Sequence, residues 1–229
     1  SSTSQWWQSI TSSSDGTKLA AVTWDGYIYT STNSGDTWVE RTNSNQRRWL
    51  GIASSSDGTK LVGTDFGRNA AGGYIWTSTD SGISWTTNSN SSGAKNWRSV
   101  TSSADGKTLA AVDYPEGYAD DGGYIYTSTD YGVSWDTKDD SSGINYWNSI
   151  TSSADGKNLA AGAIYDFIYT STDYGATWNK VTNSVVAGVN GTTTRAWYSI
   201  TSSSDGTKLA AVDQGTGSGG YIYTSTDSG

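Results

Sequence analysis

The apolar positions of this chain fall into short alternating runs, with no stretch that carries a helical period. Five times a tryptophan is followed three residues later by Ile or Val: Trp7-Gln8-Ser9-Ile10, Trp49-Leu50-Gly51-Ile52, Trp97-Arg98-Ser99-Val100, Trp147-Asn148-Ser149-Ile150 and Trp197-Tyr198-Ser199-Ile200. These tryptophans stand 42, 48, 50 and 50 residues apart, a period that belongs to repeat architectures. Each unit shares one grammar. A first run (Trp97 to Ser102) meets an Asp-Gly pair (Asp105-Gly106), and a small-residue run (Leu109-Ala110-Ala111-Val112) follows. Asp-Gly between two such runs predicts a tight hairpin. After a variable loop comes a third, aromatic-rich run (Tyr124-Ile125-Tyr126-Thr127), then Ser-x-Asp-x-Gly-x-x-Trp, with a fourth strand leaving from its tryptophan.

Four antiparallel strands per unit, five times over, predict an all-β, five-bladed β-propeller in a single domain spanning 1–229, because propeller blades are four-stranded repeats of about this length. The blades read as 7–48, 49–96, 97–146, 147–196 and 197–229 plus 1–6. The fifth box begins at Ser225 and its fourth strand is not in the chain. Ser1 to Gln5 are therefore expected beside Tyr221-Ile222-Tyr223, where they would help complete the last blade. The rival expectation is an unpaired edge, open to self-association.

The turns separate two faces. Asp-Gly hairpins and box turns are near-identical in every unit and lie at one end. The loops between second and third strands, such as Thr64 to Gly73 and Asp113 to Gly123, and between units, such as Thr182 to Ala196, differ in every unit and lie at the other. Divergent loops on a uniform framework mark the face free to carry function.

Composition narrows the chemistry. Hydrophobic residues make up 34%, yet there are 12 Trp and 15 Tyr, so the core is expected to be aromatics packed on small residues. Absent cysteine excludes disulfides and thiolate chemistry, and absent histidine removes the commonest general base and metal ligand. Net charge is −8, with nine of the 22 acids in the repeated turns. Such a chain is not expected to bind nucleic acid. No run of apolar residues is long enough to span a membrane, so membrane insertion is not expected either. A Ser/Thr/Asn/Gly-rich, Lys-poor surface points to an extracellular or cell-surface setting.

The box, quoted as Ser78…Asp80…Gly82…Trp85, Ser128…Asp130…Gly132…Trp135 and Ser171…Asp173…Gly175…Trp178, resembles the Asp-box or BNR repeat of sialidase-like propellers. Asn33 and Trp38 belong to a variant copy and Asp227 to the truncated one. The resemblance covers essentially the whole chain and implies a blade turn on the face away from an active site, so these residues are expected to be structural. Departures from sialidases are five units instead of six, no Arg-Ile-Pro motif near the start, and only two glutamates, Glu40 and Glu116.

Candidate ligand-binding residues lie on the variable face. Arg48, Arg98 and Arg195 neighbour first-strand tryptophans, at unequal offsets. A carboxylate clamp would need converging guanidinium groups. Trp24, Phe66, Tyr114 and Tyr165, with Tyr146 and Tyr198 nearby, offer flat apolar rings beside polar groups, as a sugar site requires; packing between blades is the alternative. Asp113, Glu116, Asp120 and Asp121 crowd one loop but lack the spacing of a Ca²⁺ loop, so no metal and no cofactor is expected. Asn90 and Asn190 head glycosylation sequons, used in a eukaryotic secretory context. No catalytic residue is assigned. The expected function is a non-enzymatic binding module, first for carbohydrate. A structural or assembly protein with protein partners comes second, and a sialidase-like glycoside hydrolase third.

Overall fold

The computed structural model describes residues 4–67, 72–87, 94–114, 122–138, 143–182, 195–215 and 219–229. The first unit forms β1 (Trp7–Ser12), β2 (Leu19–Thr23), β3 (Ile28–Ser31) and β4 (Val39–Arg41). The second forms β5 (Trp49–Ser54), β6 (Leu61–Asp65), β7 (Ile75–Ser78) and β8 (Thr86–Thr87), and the third β9 (Trp97–Ser102), β10 (Leu109–Asp113), β11 (Ile125–Ser128) and β12 (Asp136–Lys138). The fourth has β13 (Trp147–Ser152), β14 (Leu159–Asp166), β15 (Ile168–Ser171) and β16 (Asn179–Lys180), and the fifth β17 (Arg195–Ser202), β18 (Leu209–Asp213) and β19 (Ile222–Ser225). Each of the first three units is an antiparallel meander of four strands. The fourth and fifth are joined into one seven-stranded sheet because β14 runs on past its own hairpin to pair with β17, placing Ile164 opposite Ala196 and Asp166 opposite Arg195. Among the described residues the five repeat units thus form four hydrogen-bonded sheets.

Every first strand opens with the same irregularity. The residue after the tryptophan is extra in the ladder, as where Trp97 pairs with Asp113 and Ser99 with Val112. A bulge at this point sharpens the local twist. It lets the tryptophan turn toward the preceding unit.

The core lies between units rather than within them. Trp49 packs with Ala20, Val22 and Ile28 of the unit before it, and Trp97 with Val62 and Ile75. Trp49, Trp97 and Trp147 are fully buried. The small second strands are what make room: a Cβ on Gly63 would lie 3.3 Å from Trp49, and one on Gly162 would lie 2.8 Å from Trp197. Burying one indole per interface removes roughly 150–250 Å² of aromatic surface from water, which makes these rings the largest single contributions to the packing.

Box turns are closed by side chains. The Ser78 hydroxyl donates to Asp80 Oδ1 (2.8 Å) and accepts the Gly82 N–H (2.9 Å). Asp80 in turn accepts the Ser84 N–H at 2.8 Å, and Trp85 Nε1–H donates to the Gly82 carbonyl at 3.1 Å. Asp130 and Asp173 repeat the pattern, with Trp135 and Trp178 buried over it. Asn33 uses its Oδ1 for the Thr37 N–H, and Asp227 accepts the Ser225 hydroxyl. The residue before each box glycine is left-handed as well, with φ of 58° at Ser34, 59° at Ser81 and 64° at Tyr131. A side chain rarely adopts this conformation unless the turn around it is fixed.

Of the residues expected beside Tyr221-Ile222-Tyr223, Ser1 to Thr3 lie outside the described residues. The Trp6 carbonyl accepts the Trp24 N–H at 2.8 Å, the same bond that the carbonyls of Arg48, Asn96, Tyr146 and Ala196 accept in later units. The residues just before Trp7 are therefore the lead-in to the first unit. Among the described residues no strand pairs with the outer edge of β19, and Ile222 is 77% exposed.

Candidate functional site

The variable face is built at the start of each first strand and the end of each second. Here the structure divides the seven predicted ligand residues into separate places. Trp24, Arg48 and Phe66 come together at the junction of the first two units. The Arg48 guanidinium lies 5.3 Å from the Trp24 ring centre and 3.4 Å from Asp25, and Phe66 tilts against Trp24 at 6.0 Å. At the junction of the third and fourth units, Arg98 lies 5.3 Å from the Tyr114 ring centre and donates to Asn148 Oδ1 at 3.1 Å, with Tyr146 at 5.5 Å from Tyr114. Both clusters are half-buried. Arg195 belongs to neither. Tyr165 stands at the tip of β14 with φ of 63° and its residue 70% exposed, and Tyr198 is 62% exposed. Asn90 and Asn190 lie outside the described residues.

Arg195 instead reveals a repeated device that the arginine offsets conceal. It sits two residues before its tryptophan and donates to Asp213 Oδ2 at 2.9 Å, with the Tyr223 ring 5.0 Å away. Arg47 occupies the same position, bonding Asp65 at 3.2 Å over the Trp76 ring at 4.1 Å. So does Lys95, at 3.8 Å from Asp113 and 5.3 Å from the Tyr126 ring. Cation and carboxylate are 18 residues apart in all three. Counting lysine with arginine, and aligning two before and sixteen after each tryptophan, would have found them. The first unit has Gln5 and Thr23 at these places, and the fourth Asn145 and Ala163. The fourth carries a substitute, Lys180 at 3.2 Å from Asp166, with the Tyr169 hydroxyl donating to the same carboxylate at 3.0 Å.

These carboxylates face inward. Asp65 is 1% exposed and accepts Trp76 Nε1–H at 2.8 Å and the Gly67 N–H at 3.0 Å as well as Arg47. Burial pushes its carboxyl up from the usual carboxylate range, against the pull of Trp76 and Arg47. Asp113 is raised by burial too, opposed by the Tyr124 N–H and Lys95. Asp113 was weighed above as part of a cation loop. It is turned away onto Lys95 and the Tyr124 N–H, and Glu116, Asp120 and Asp121 lie outside the described residues. Among the described residues no group of three or more acidic side chains is placed to hold a metal ion.

No family model matches the chain, and no curated protein does. Solved structures do. One is the nidogen/laminin complex, at a TM-score of 0.65 and 14% identity over 92% of this chain and 73% of that one. Those neighbours are propeller proteins. The chain has a β-propeller fold. A second propeller, the GH74 xyloglucanase of Xanthomonas campestris, matches at 0.68 and 14% identity over 93% of this chain but 35% of that one. YCF48 bound to D1 peptide matches at 0.57 and 16% identity, over 96% of this chain and 67% of that one. This propeller therefore spans about a third of the xyloglucanase chain. At such identities the likeness carries the fold alone, and protein-binding and sugar-cleaving proteins share it.

Proposed function

We propose that this chain is a non-enzymatic, five-bladed binding module that holds a protein partner through its variable-loop face. The observation that carries the reading is the pair of aromatic–guanidinium clusters, Trp24–Arg48–Phe66 and Arg98–Tyr114–Tyr146, set at blade junctions of that face. Trp, Tyr and Arg in half-buried clusters are the composition of protein–protein hot spots. A sugar ring needs an open aromatic face, and the Trp24 and Tyr114 rings are already covered by guanidinium and a second ring. Nidogen with laminin and YCF48 with D1 peptide are propellers with protein partners, which supports the reading by analogy.

Carbohydrate binding is kept as a second reading on one observation, the open rings of Tyr165 and Tyr198. No reaction is proposed, since the buried acids Asp65, Asp113 and Asp213 are each engaged by a cation. An extracellular setting is proposed on composition. The test is selection of binders from a displayed random-peptide library, run beside a glycan array. The protein reading expects enriched peptides whose binding drops at least tenfold in Arg48→Ala and Arg98→Ala. Glycan hits lost in Tyr165→Ala, with no peptide enriched, would replace it with the carbohydrate reading.

A further inference from the structure

The turn face, opposite the variable loops, is uniform in backbone but not in side chains. In every unit the residue before the box glycine donates its N–H to the carbonyl of the residue after the hairpin glycine. The pairs are Ser34 with Thr17 (2.9 Å), Ser81 with Thr59 (2.8 Å), Tyr131 with Lys107 (3.0 Å), Tyr174 with Lys157 (3.0 Å) and Ser228 with Thr207 (2.8 Å). Two side chains are thus brought to one place on each unit. In the first, second and fifth units they are Ser and Thr. In the third and fourth units both change together, to Tyr and Lys. The hairpin lysine has moved one place along the chain. Lys18 and Lys60 cross to the next hairpin, onto the carbonyls of Asp57 (3.0 Å) and Asp105 (2.7 Å). Lys107 and Lys157 stand one position earlier in their hairpins and are exposed.

The two tyrosines are open to solvent, Tyr131 at 42% and Tyr174 at 44%. Both are left-handed, with φ of 64° and 61°, a conformation that bulky side chains seldom adopt. Ser34 and Ser81 hold the same turn at 58° and 59°, so the turn itself does not need a ring there. The two Tyr–Lys pairs belong to one surface. The hairpins of the third and fourth units abut, with the Ala104 N–H on the Ala154 carbonyl at 2.7 Å. The box turn of the fourth unit rests on the third, where a Cβ on Gly175 would lie 2.6 Å from Thr127. On the other side the Lys60 ammonium lies 5.0 Å from the Tyr131 ring centre.

We propose that the turn face of the third and fourth units binds a linear, neutral polysaccharide, with Tyr131 and Tyr174 each stacking on a sugar ring and Lys107 and Lys157 donating to its hydroxyls. A pyranose offers a flat apolar face rimmed by hydroxyl groups, and an exposed aromatic ring beside donors matches both. A site that occurs twice, in the same form, suits a ligand that itself repeats. The surface is flat: the crevice beside Tyr131, between Lys60, Leu61 and Gly106, measures about 10 Å³, room for one water. The anchoring side chain of a protein partner finds no pocket there. The N–H groups of Tyr131, Gly132, Val133 and Ser134 already donate within their unit, so an extended peptide cannot add to this turn as a strand. Asp105, Asp130, Asp155 and Asp173 stand in the same turns as the lysines, so the surface carries no excess of positive charge to draw a polyanion. The site is independent of the variable-face reading, since those loops lie at the other ends of the strands.

The test is affinity electrophoresis of the 229-residue chain through gels cast with hydroxyethylcellulose or galactomannan, both neutral, and with heparin as the polyanion. Retardation by a neutral polymer is expected, and added salt is expected to leave it unchanged. Tyr131→Ser and Tyr174→Ser install the residue that holds the same turn in other units, so the variants keep the fold, which thermal melts check. Each is expected to weaken binding about fivefold and the double variant about twenty-fivefold, the scale of one aromatic contact per ring. Tyr165→Ala, on the variable face, is expected to change nothing. No retardation by either neutral polymer overturns the proposal, and so does retardation by heparin alone. Binding that survives the double variant, or is lost in Tyr165→Ala, moves the sugar to another face and overturns it. A melting midpoint lowered by the two serines makes the rings structural and overturns it as well.

Discussion

Removing Arg47 tests the buried clamp. Arg47→Ala leaves the Asp65 carboxylate, 1% exposed, with only neutral donors, Trp76 Nε1–H and the Gly67 N–H. At the observed 3.2 Å the lost attraction is about 5 kcal/mol for an effective dielectric near 20. Arg47 keeps about a quarter of its side chain in water, so solvent takes part of that, and a cost of about 3 kcal/mol at neutral pH follows. For a chain of this size the melting midpoint would fall by roughly 6–12 °C. The pH dependence has a definite sign. Burial already raises the Asp65 carboxyl, so its ionised form works against folding as pH rises through the folded-state value. Losing Arg47 raises it further. The deficit of Arg47→Ala therefore shrinks as pH is lowered from 7 into the acid range and the carboxyl takes up its proton in the fold. Asp65→Asn removes the charge and keeps an acceptor for Trp76 and Arg47, but leaves the Gly67 N–H facing the amide N–H, and costs about 1–3 kcal/mol from contacts that do not titrate. Urea melts at several pH values measure all three quantities. An Arg47→Ala deficit below about 0.5 kcal/mol, or one flat with pH, would refute this account of the clamp.

Ser78→Ala removes both box bonds of that hydroxyl and strands the buried Gly82 N–H, so a loss of about 1–3 kcal/mol is expected in denaturant melts. Gly156→Ala and Gly16→Ala share a left-handed backbone, at φ of 76° and 72°, but only the former drives a Cβ to 2.6 Å from Thr108. Thermal unfolding of the single chain should show Gly156→Ala the more destabilised by about 1–3 kcal/mol, the cost of overpacking. Bonds from Ser13 and the Thr17 N–H hold Asp15 at about 2, and Ser203 and the Thr207 N–H do the same for Asp205. Their stabilisation is complete above the ordinary carboxylate value and lost as pH falls through about 2. Carboxyl NMR titration of Ser13→Ala should find Asp15 moved upward, toward that ordinary value.

The repeat grammar was legible because it is local. Asp-Gly hairpins and box turns bond within a few residues of themselves, so Ser103 with Asp105 and Ser128 with Asp130 are recognisable wherever they occur. The candidate site was legible only in part. Trp24 and Arg48 stood out by residue type, but whether their faces are open or covered depends on Phe66 and Asp25, which arrive from other strands. The clamp was missed because lysine and arginine share one place at a fixed offset, while attention to arginine alone showed unequal offsets. Asp113, grouped by sequence with the acids of one loop, is buried because its strand ends inside the blade junction.

By itself, then, the sequence determined the strands, their turns, their order and the five units, since each rests on hydrogen bonds and alternation within about twenty residues. The tertiary structure alone decided how the units join. It merged the fourth and fifth through an extended β14, kept the N-terminal lead-in on its own unit, and left Ile10 and Ile222 facing solvent at opposite ends. The physical reason is that the apolar core lies between units. The same Trp and Ile are buried or exposed according to whether a neighbour stands against them, and a repeating pattern reads alike at an inner unit and at an outer one.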